Sequence, residues 1–262
     1  KIMLHHEISG NGKKPLVLLH GFMENTTIWN EMEAHLSKDF TLIKIDLPGH
    51  GKSKVYQEIH TVELMAEKVK EVIDALKLEK INLLGHSLGG YVSLAFAEKF
   101  PEILESMTLF FSTTVADDEE KKAIRRRSIA VIDENFETFV KTSIPNLFSN
   151  NEKDILEGKI ELAKNIAKST NKEGVKAAQL GMAERPDRTE ILENLDAKIL
   201  IIAGKYDNAV KTENLLKIIP EKTNIKTYVL DCGHNGHWEK PTICAEIINT
   251  ELLHNLPKHF LL

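Results

Sequence analysis

The sequence predicts an α/β fold built on a mostly parallel sheet with helices on both faces. Three observations carry that expectation. Short apolar, β-prone runs recur without polar alternation, as strands covered on both faces require. Between several of them apolar residues fall three or four apart, the spacing of one helix face. Strand and helix signals alternate on both sides of one long stretch that has no strand-like run, which implies βαβ units.

In chain order, 16–19 reads as a first strand, 42–45 as a second and 81–84 as a third. Val62, Met65, Val69, Val72, Ile73 and Leu76 place a helix between the second and third. Residues 91–99 continue as a helix ended by Phe100-Pro101, and 107–111 forms the next strand. Residues 112–190 read as four helical segments whose apolar faces include Phe136, Phe139 and Phe148. Strands resume at 199–203 and 225–230, and Ile243, Ile247, Ile248, Leu252, Leu253 and Leu256 line a last helix. The expected organisation is one core domain from 1–111 and 191–262, with 112–190 inserted as a helical cap.

A chain of 262 residues can bury a sizeable core without disulfides or a structural metal. With 34 basic against 39 acidic residues its net charge is −5, which argues against a nucleic-acid binder. Two cysteines, Cys232 and Cys244, fit a reducing compartment and form no zinc motif. The N-terminal residues do not resemble a secretory signal, and no apolar run approaches the ~18 residues of a membrane span, so a cytoplasmic location is expected. The stretch 117–127 is densely charged, acidic first and basic later, and reads as a solvated helix face aligned with the helix dipole. Over 112–190 there are 14 basic and 15 acidic residues, so bulk charge does not steer a charged ligand.

Gly85-His86-Ser87-Leu88-Gly89 is a G-x-S-x-G sequence lying between a strand and a helix, the context a nucleophile elbow requires. Side chains two before and two after so sharp a turn would collide, hence the glycines. A serine hydroxyl needs a base oriented by an acid. Base candidates lie in Gly233-His234-Asn235-Gly236-His237-Trp238-Glu239-Lys240-Pro241 and an acid in Gly204-Lys205-Tyr206-Asp207, each just past a predicted strand. That is the edge where open α/β sheets place their sites. Gly51-Lys52-Ser53 ends like a P-loop, but Asp46 stands where the first glycine belongs.

With His20-Gly21-Phe22-Met23 after the first strand and Asp46-Leu47-Pro48-Gly49-His50-Gly51-Lys52-Ser53 after the second, five motifs stand in order. On these residues the whole chain resembles the α/β-hydrolase fold family, in its capped, esterase-like members. The resemblance implies Ser87 as nucleophile, His234 as general base and acid, and Asp207 as the group orienting His234. It implies an oxyanion hole from the backbone N–H groups of Phe22 and Leu88, with Phe22 and Met23 also shaping the acyl pocket. Phe136 and Phe139 are further candidates for the cleft. His237 competes as base and Asp117 or Asp118 as acid, but His234 has the family's spacing to Glu239 and Pro241, and the Gly-x-x-Asp of Asp207 is intact. His20, His50 and His86 are expected to be structural, and Trp29 and Trp238 to be packing residues.

The expected function is therefore hydrolysis of a small-to-medium, largely hydrophobic carboxylic ester through an acyl-enzyme, by a monomer or small homo-oligomer with no cofactor and no metal. Serine in the elbow argues against dehalogenase or epoxide hydrolase chemistry, which use aspartate there in this fold. Alternatives are carbon–carbon bond hydrolysis or a menaquinone-pathway-type lyase step, lactone opening or perhydrolysis, and a slow-turnover small-molecule receptor. The first of these handles anionic substrates, so an arginine reaching into the cleft from the cap (Arg125, Arg126, Arg127 or Arg185) would favour it.

Overall fold

The run Leu16-Val17-Leu18-Leu19 explains why the strand signals are continuous. Val17 and Leu19 face one hydrophobic core while Leu16 and Leu18 face a second on the other side of the sheet. The computed structural model, which describes residues 2–253, places seven strands in that sheet. They are β1 (His6–Ser9), β2 (Lys14–Leu19), β3 (Phe40–Ile45), β4 (Ile81–His86), β5 (Leu104–Phe110), β6 (Lys198–Gly204) and β7 (Ile225–Leu230), in the order β1-β3-β2-β4-β5-β6-β7. All neighbours run parallel except β1, which pairs antiparallel with β3. Six strands coincide with the expected runs. β1 was not expected, because an edge strand reading His-Glu-Ile-Ser has no buried face to write an apolar run.

The helices are α1 (Asn30–Glu33), α2 (Val62–Ala75), α3 (Leu88–Lys99), α4 (Glu119–Glu134), α5 (Phe136–Ser143), α6 (Glu157–Ser169), α7 (Lys172–Glu184), α8 (Glu190–Asn194), α9 (Thr212–Ile218), α10 (Gly236–Glu239) and α11 (Pro241–Leu253). The Thr61 side chain caps α2 by accepting from Leu64 N, and the helix buries Val62, Met65, Ala66, Val69, Val72 and Ile73 with α3 in the first core. The second core joins α1 and α11 to the opposite sheet face. Of the residues expected in the last helix, Leu256 lies outside the described residues. No helix among the described residues is long and apolar enough to cross a membrane.

Between β5 and β6 the chain leaves the sheet and forms five α-helices, α4 to α8, of which α4 to α7 lie within 112–190 and α8 begins at Glu190. Side chains cap three of them: Asp118 accepts from Lys121 N, Asn135 from Thr138 N and Asn171 from Glu173 N. Helix α7 is seated against the loop that follows β3. His60 N donates to Ala177 O (3.1 Å), and a Cβ on Gly181 would run into the His60 carbonyl oxygen. Both groups are backbone, so neither can swing away. Gly181→Ala is therefore expected to cost about 1–3 kcal/mol of stability, as overpacking does. Urea denaturation reads the loss, and a wild-type midpoint would contradict the contact.

Candidate active site

The Ser87 backbone sits at φ +51°, a left-handed conformation that costs a residue with a Cβ free energy and persists only where surroundings enforce it. The surroundings do so from three sides. Ser87 N donates to Phe110 O (3.0 Å), Ser112 Oγ donates to Ser87 O (2.8 Å), and a Cβ on Gly85 would strike the Gly89 carbonyl. The turn ejects the hydroxyl from the end of β4 and starts α3 at Leu88, whose N-terminal partial positive charge faces the site.

His234 and Asp207 arrive from the ends of β7 and β6. Ser87 Oγ lies 2.8 Å from His234 Nε2, and His234 Nδ1 lies 2.8 Å from Asp207 Oδ2. A carboxylate only accepts, so Nδ1 carries the imidazole proton and Nε2 is left to accept from the serine. The other oxygen of Asp207 accepts from Ala209 N (2.8 Å) and Val210 N (2.9 Å), which fixes the carboxylate's orientation. The backbone of the His234 loop is fixed in turn. His234 N donates to Leu147 O (2.9 Å), and Glu239 accepts from Gly233 N, Asn235 N and Ser149 N. Burial raises the Glu239 carboxyl despite those donors.

The loop after β2 is equally constrained. His20 Nε2 accepts from Leu47 N (2.9 Å), so His20 Nδ1–H donates to Gly21 O (2.7 Å). His50 Nε2 accepts from Met23 N (3.1 Å) and its Nδ1–H donates to Pro48 O. Gly21 N is taken by Glu24 Oε1 (2.7 Å). Phe22 N and Leu88 N have no hydrogen-bond partner among the described residues. Burial pushes His20 down to about 4 and His50 down to about 3, leaving both imidazoles neutral.

A cavity of about 350 Å³ opens on Ser87 and His234. Phe22 and Met23 form one wall, and α4 to α7 supply the others through residues such as Ile124, Phe139, Ala163 and Met182. One end is polar, with Tyr91, Lys121, Arg125, Ser128, Gln179 and Asn208. Arg125 donates through Nε to Asp117 and through Nη1 to Gln179 Oε1 (2.9 Å), and Arg185 donates to Asp117 Oδ1 (2.9 Å) while stacking on Tyr91. Burial alone would raise the Asp117 carboxyl, but the two guanidinium groups outweigh it and hold it below the usual range. Lys121 Nζ has only the Ala209 carbonyl, at 3.4 Å. Two guanidinium groups thus meet one carboxylate here, with the Lys121 ammonium nearby but not bonded to it.

The structure brings Ser87, His234 and Asp207 into one hydrogen-bonded row, with Phe22, Met23 and Phe139 on the cavity wall and Leu88 directly after Ser87. Phe136 does not reach the cavity, because it stacks behind Phe139 against the second core. Trp238, expected to be packing alone, is also on the cavity wall. His237 points away from Ser87, with Nε2 2.9 Å from Glu24 Oε2, and Asp118 is the cap of α4. The charged stretch at 117–127 is not a wholly solvated face, since Asp117 is buried and Arg125 reaches the cavity. Glu24, Lys121 and Gln179 were missed; none sits in a motif, and only the fold brings them to the site.

A parallel sheet with a serine elbow at its carboxyl edge, facing histidine and aspartate from later strand ends, defines the hydrolase class of open α/β proteins. The chain belongs to the alpha/beta hydrolase fold family, whose sequence pattern matches residues 14–241. A thermophilic esterase from Thermogutta terrifontis, solved with malate bound, is 33% identical and superposes with a TM-score of 0.89 over 95% of this chain and 93% of that one. A putative 2-succinyl-6-hydroxy-2,4-cyclohexadiene-1-carboxylate synthase from Bacillus subtilis is 28% identical over 91% of this chain and 90% of its own length. A 2-hydroxy-6-oxononadienedioate/2-hydroxy-6-oxononatrienedioate hydrolase from Escherichia coli is 26% identical over 91% and 86%. An uncharacterised Mycobacterium tuberculosis protein is 35% identical over 111 residues, and that match spans 32% of its length.

Three buried imidazoles make stability depend on pH. Burial lowers His237 to about 4 against the pull of Glu24, so it joins His20 and His50. A histidine with a depressed folded pKa takes up its proton first in the unfolded chain. Its contribution is thus lost as pH falls from about 6.5 toward the folded value, by up to about 1.4 kcal/mol per pH unit for each group. Urea titrations from about pH 7 to about pH 4.5 are expected to lose stability steeply, with net proton uptake on unfolding. A flat profile would contradict neutral buried imidazoles.

Proposed function

We propose that the chain is a serine hydrolase that cleaves a small-to-medium carboxylic ester, with residues 112–190 acting as a cap over its cleft. The observation that carries this reading is the unbroken hydrogen-bond chain from Ser87 through His234 to Asp207, opening on a cavity walled by α4 to α7. Ser87 Oγ attacks the ester carbonyl carbon as His234 Nε2 takes its proton. Asp207 keeps Nδ1 protonated and stabilises the imidazolium that forms. The developing oxyanion meets the N–H groups of Phe22 and Leu88, the donors left without partners. His234 then protonates the departing alkoxide and deprotonates the water that cleaves the acyl-enzyme. The 33%-identical relative being an esterase supports ester bonds as the target.

A fluorophosphonate probe with a p-nitrophenyl ester series of rising chain length tests this. Ser87→Ala is expected to abolish labelling and lower kcat by roughly 10⁴–10⁶, and His234→Ala to cost a comparable factor. Labelling elsewhere than Ser87, or hydrolysis undiminished in Ser87→Ala, would sink the nucleophile assignment. Turnover far below the ~1–10³ s⁻¹ of ordinary enzymes, with tight ligand binding, would favour a receptor instead.

A second reading, carbon–carbon cleavage or a lyase step on the same three residues, is favoured by the cationic end of the cavity. Lys121 and Arg125 suit a carboxylate carried by the substrate away from the scissile bond, and the Bacillus subtilis and Escherichia coli relatives are named for carboxylate compounds. Lys121→Ala is expected to lower kcat/KM about tenfold for a p-nitrophenyl hemisuccinate while sparing p-nitrophenyl butyrate. Equal losses on both would remove the acidic-substrate reading.

A further inference from the structure

We infer that Glu24 is a positioning residue: one buried carboxylate braces the loop carrying the Phe22 amide and, through His86, the loop carrying His234. The inference rests on the hydrolase reading above. Glu24 Oε1 accepts from Gly21 N (2.7 Å) and from His86 Nδ1–H (2.6 Å), and Oε2 lies 2.9 Å from His237 Nε2. His86 Nε2–H donates to the His234 carbonyl oxygen (3.0 Å). With Glu24 ionised, both partners of His86 can only accept, so both its ring nitrogens donate and His86 is an imidazolium. Burial opposes charge on either group. Even so, the His86 imidazolium holds the Glu24 carboxyl well below its usual range, and Glu24 raises His86.

The brace has a defined target on each side. The Gly21 carbonyl and the Phe22 N–H share one rigid peptide plane, so fixing the residue on which that plane is hung aims the N–H. His20 holds the carbonyl end of the plane and Glu24 holds Gly21 N. On the other side, the bond from His86 fixes the His234 backbone, whose ring must meet Ser87. Glu24, His86 and His237 could be taken for a metal-ligand set, since their ligand atoms all lie within 4.8 Å. The 2.6 Å between Glu24 and His86 is a hydrogen bond, and both this spacing and the 2.9 Å from Glu24 to His237 are shorter than the roughly 3.3 Å between neighbouring ligands of a tetrahedral ion.

A neutral amide cannot reproduce this. With glutamine at 24, His86 loses its counter-ion, and the group facing both Gly21 N and His86 Nδ1 is either an oxygen, which leaves one ring proton for two acceptors, or an NH2, which gives up Gly21 N, so one link must break. Glu24→Gln is expected to lower kcat per titrated active site about 10²-fold, the scale of a misplaced oxyanion donor, with KM within threefold. In unmodified protein, nitrogen-15 NMR is expected to find two slowly exchanging, downfield ring N–H protons on His86. That arm needs no variant and reads the brace even where Glu24→Gln does not fold. Wild-type kcat in folded Glu24→Gln, or a single ring N–H on His86, overturns the inference. Ser87→Ala assayed in parallel separates the two claims: if it still hydrolyses ester the hydrolase reading fails, while inactivity there with full activity in Glu24→Gln removes the brace alone.

Discussion

Everything at the site depends on the backbone of Ser87 holding a conformation it would not choose. A left-handed φ at a non-glycine residue is unfavourable by on the order of 1–3 kcal/mol, so the neighbouring strand must hold it. Phe110 and Ser112, at and just past the end of β5, grip the Ser87 amide and carbonyl, and the glycines at 85 and 89 let the chain close on itself. The strain is functional: only this turn both presents the hydroxyl and sets a helix N-terminus behind it.

The partners of the serine are organised by charge as well as by chain geometry. Behind the site Glu24 and His86 form a buried ion pair beside neutral His237, while His20 and His50 stay neutral and act as fixed hydrogen-bond struts. These side chains are buried, so each polar atom needs a hydrogen-bond partner. The ordering is almost complete. Of the described side-chain nitrogens near the site, both on His237 lack an aligned hydrogen bond, although Nε2 keeps the Glu24 carboxylate within ion-pair distance.

How much of this the sequence discloses depends on whether a constraint is local. Continuous apolar runs reveal buried strands because each residue is covered on its own face, and Gly85 reveals the turn because its clash is with Gly89 four residues on, whereas Gly89 makes room for the Leu19 and His20 carbonyls at the end of β2. Strand β1 is silent because an edge strand buries too little. Glu24 is silent for another reason: its partners His86 and His237 lie 62 and 213 positions along the chain, and no spacing rule spans such distances. The same holds for Asp117, whose local cluster reads as solvated until Arg185 is folded against it. Phe136 and Phe139 share a helix and an aromatic type; which of them faces the cavity is decided by the packing of α5, not by the letters.

The grip of Leu147 and Ser149 on the His234 loop bears on how such proteins diversify. A helical insertion between two strands looks like a part that can be exchanged to change specificity. Here it also supplies a carbonyl and an amide to the strand-end loop that holds the histidine. A transplanted insertion would have to bring those two backbone groups to the same places. Exchange of the segment between β5 and β6 is therefore not modular, and variation in what the cavity accepts is most readily drawn from side chains on α4, α5 and α7, which can change while the 147–149 segment stays fixed.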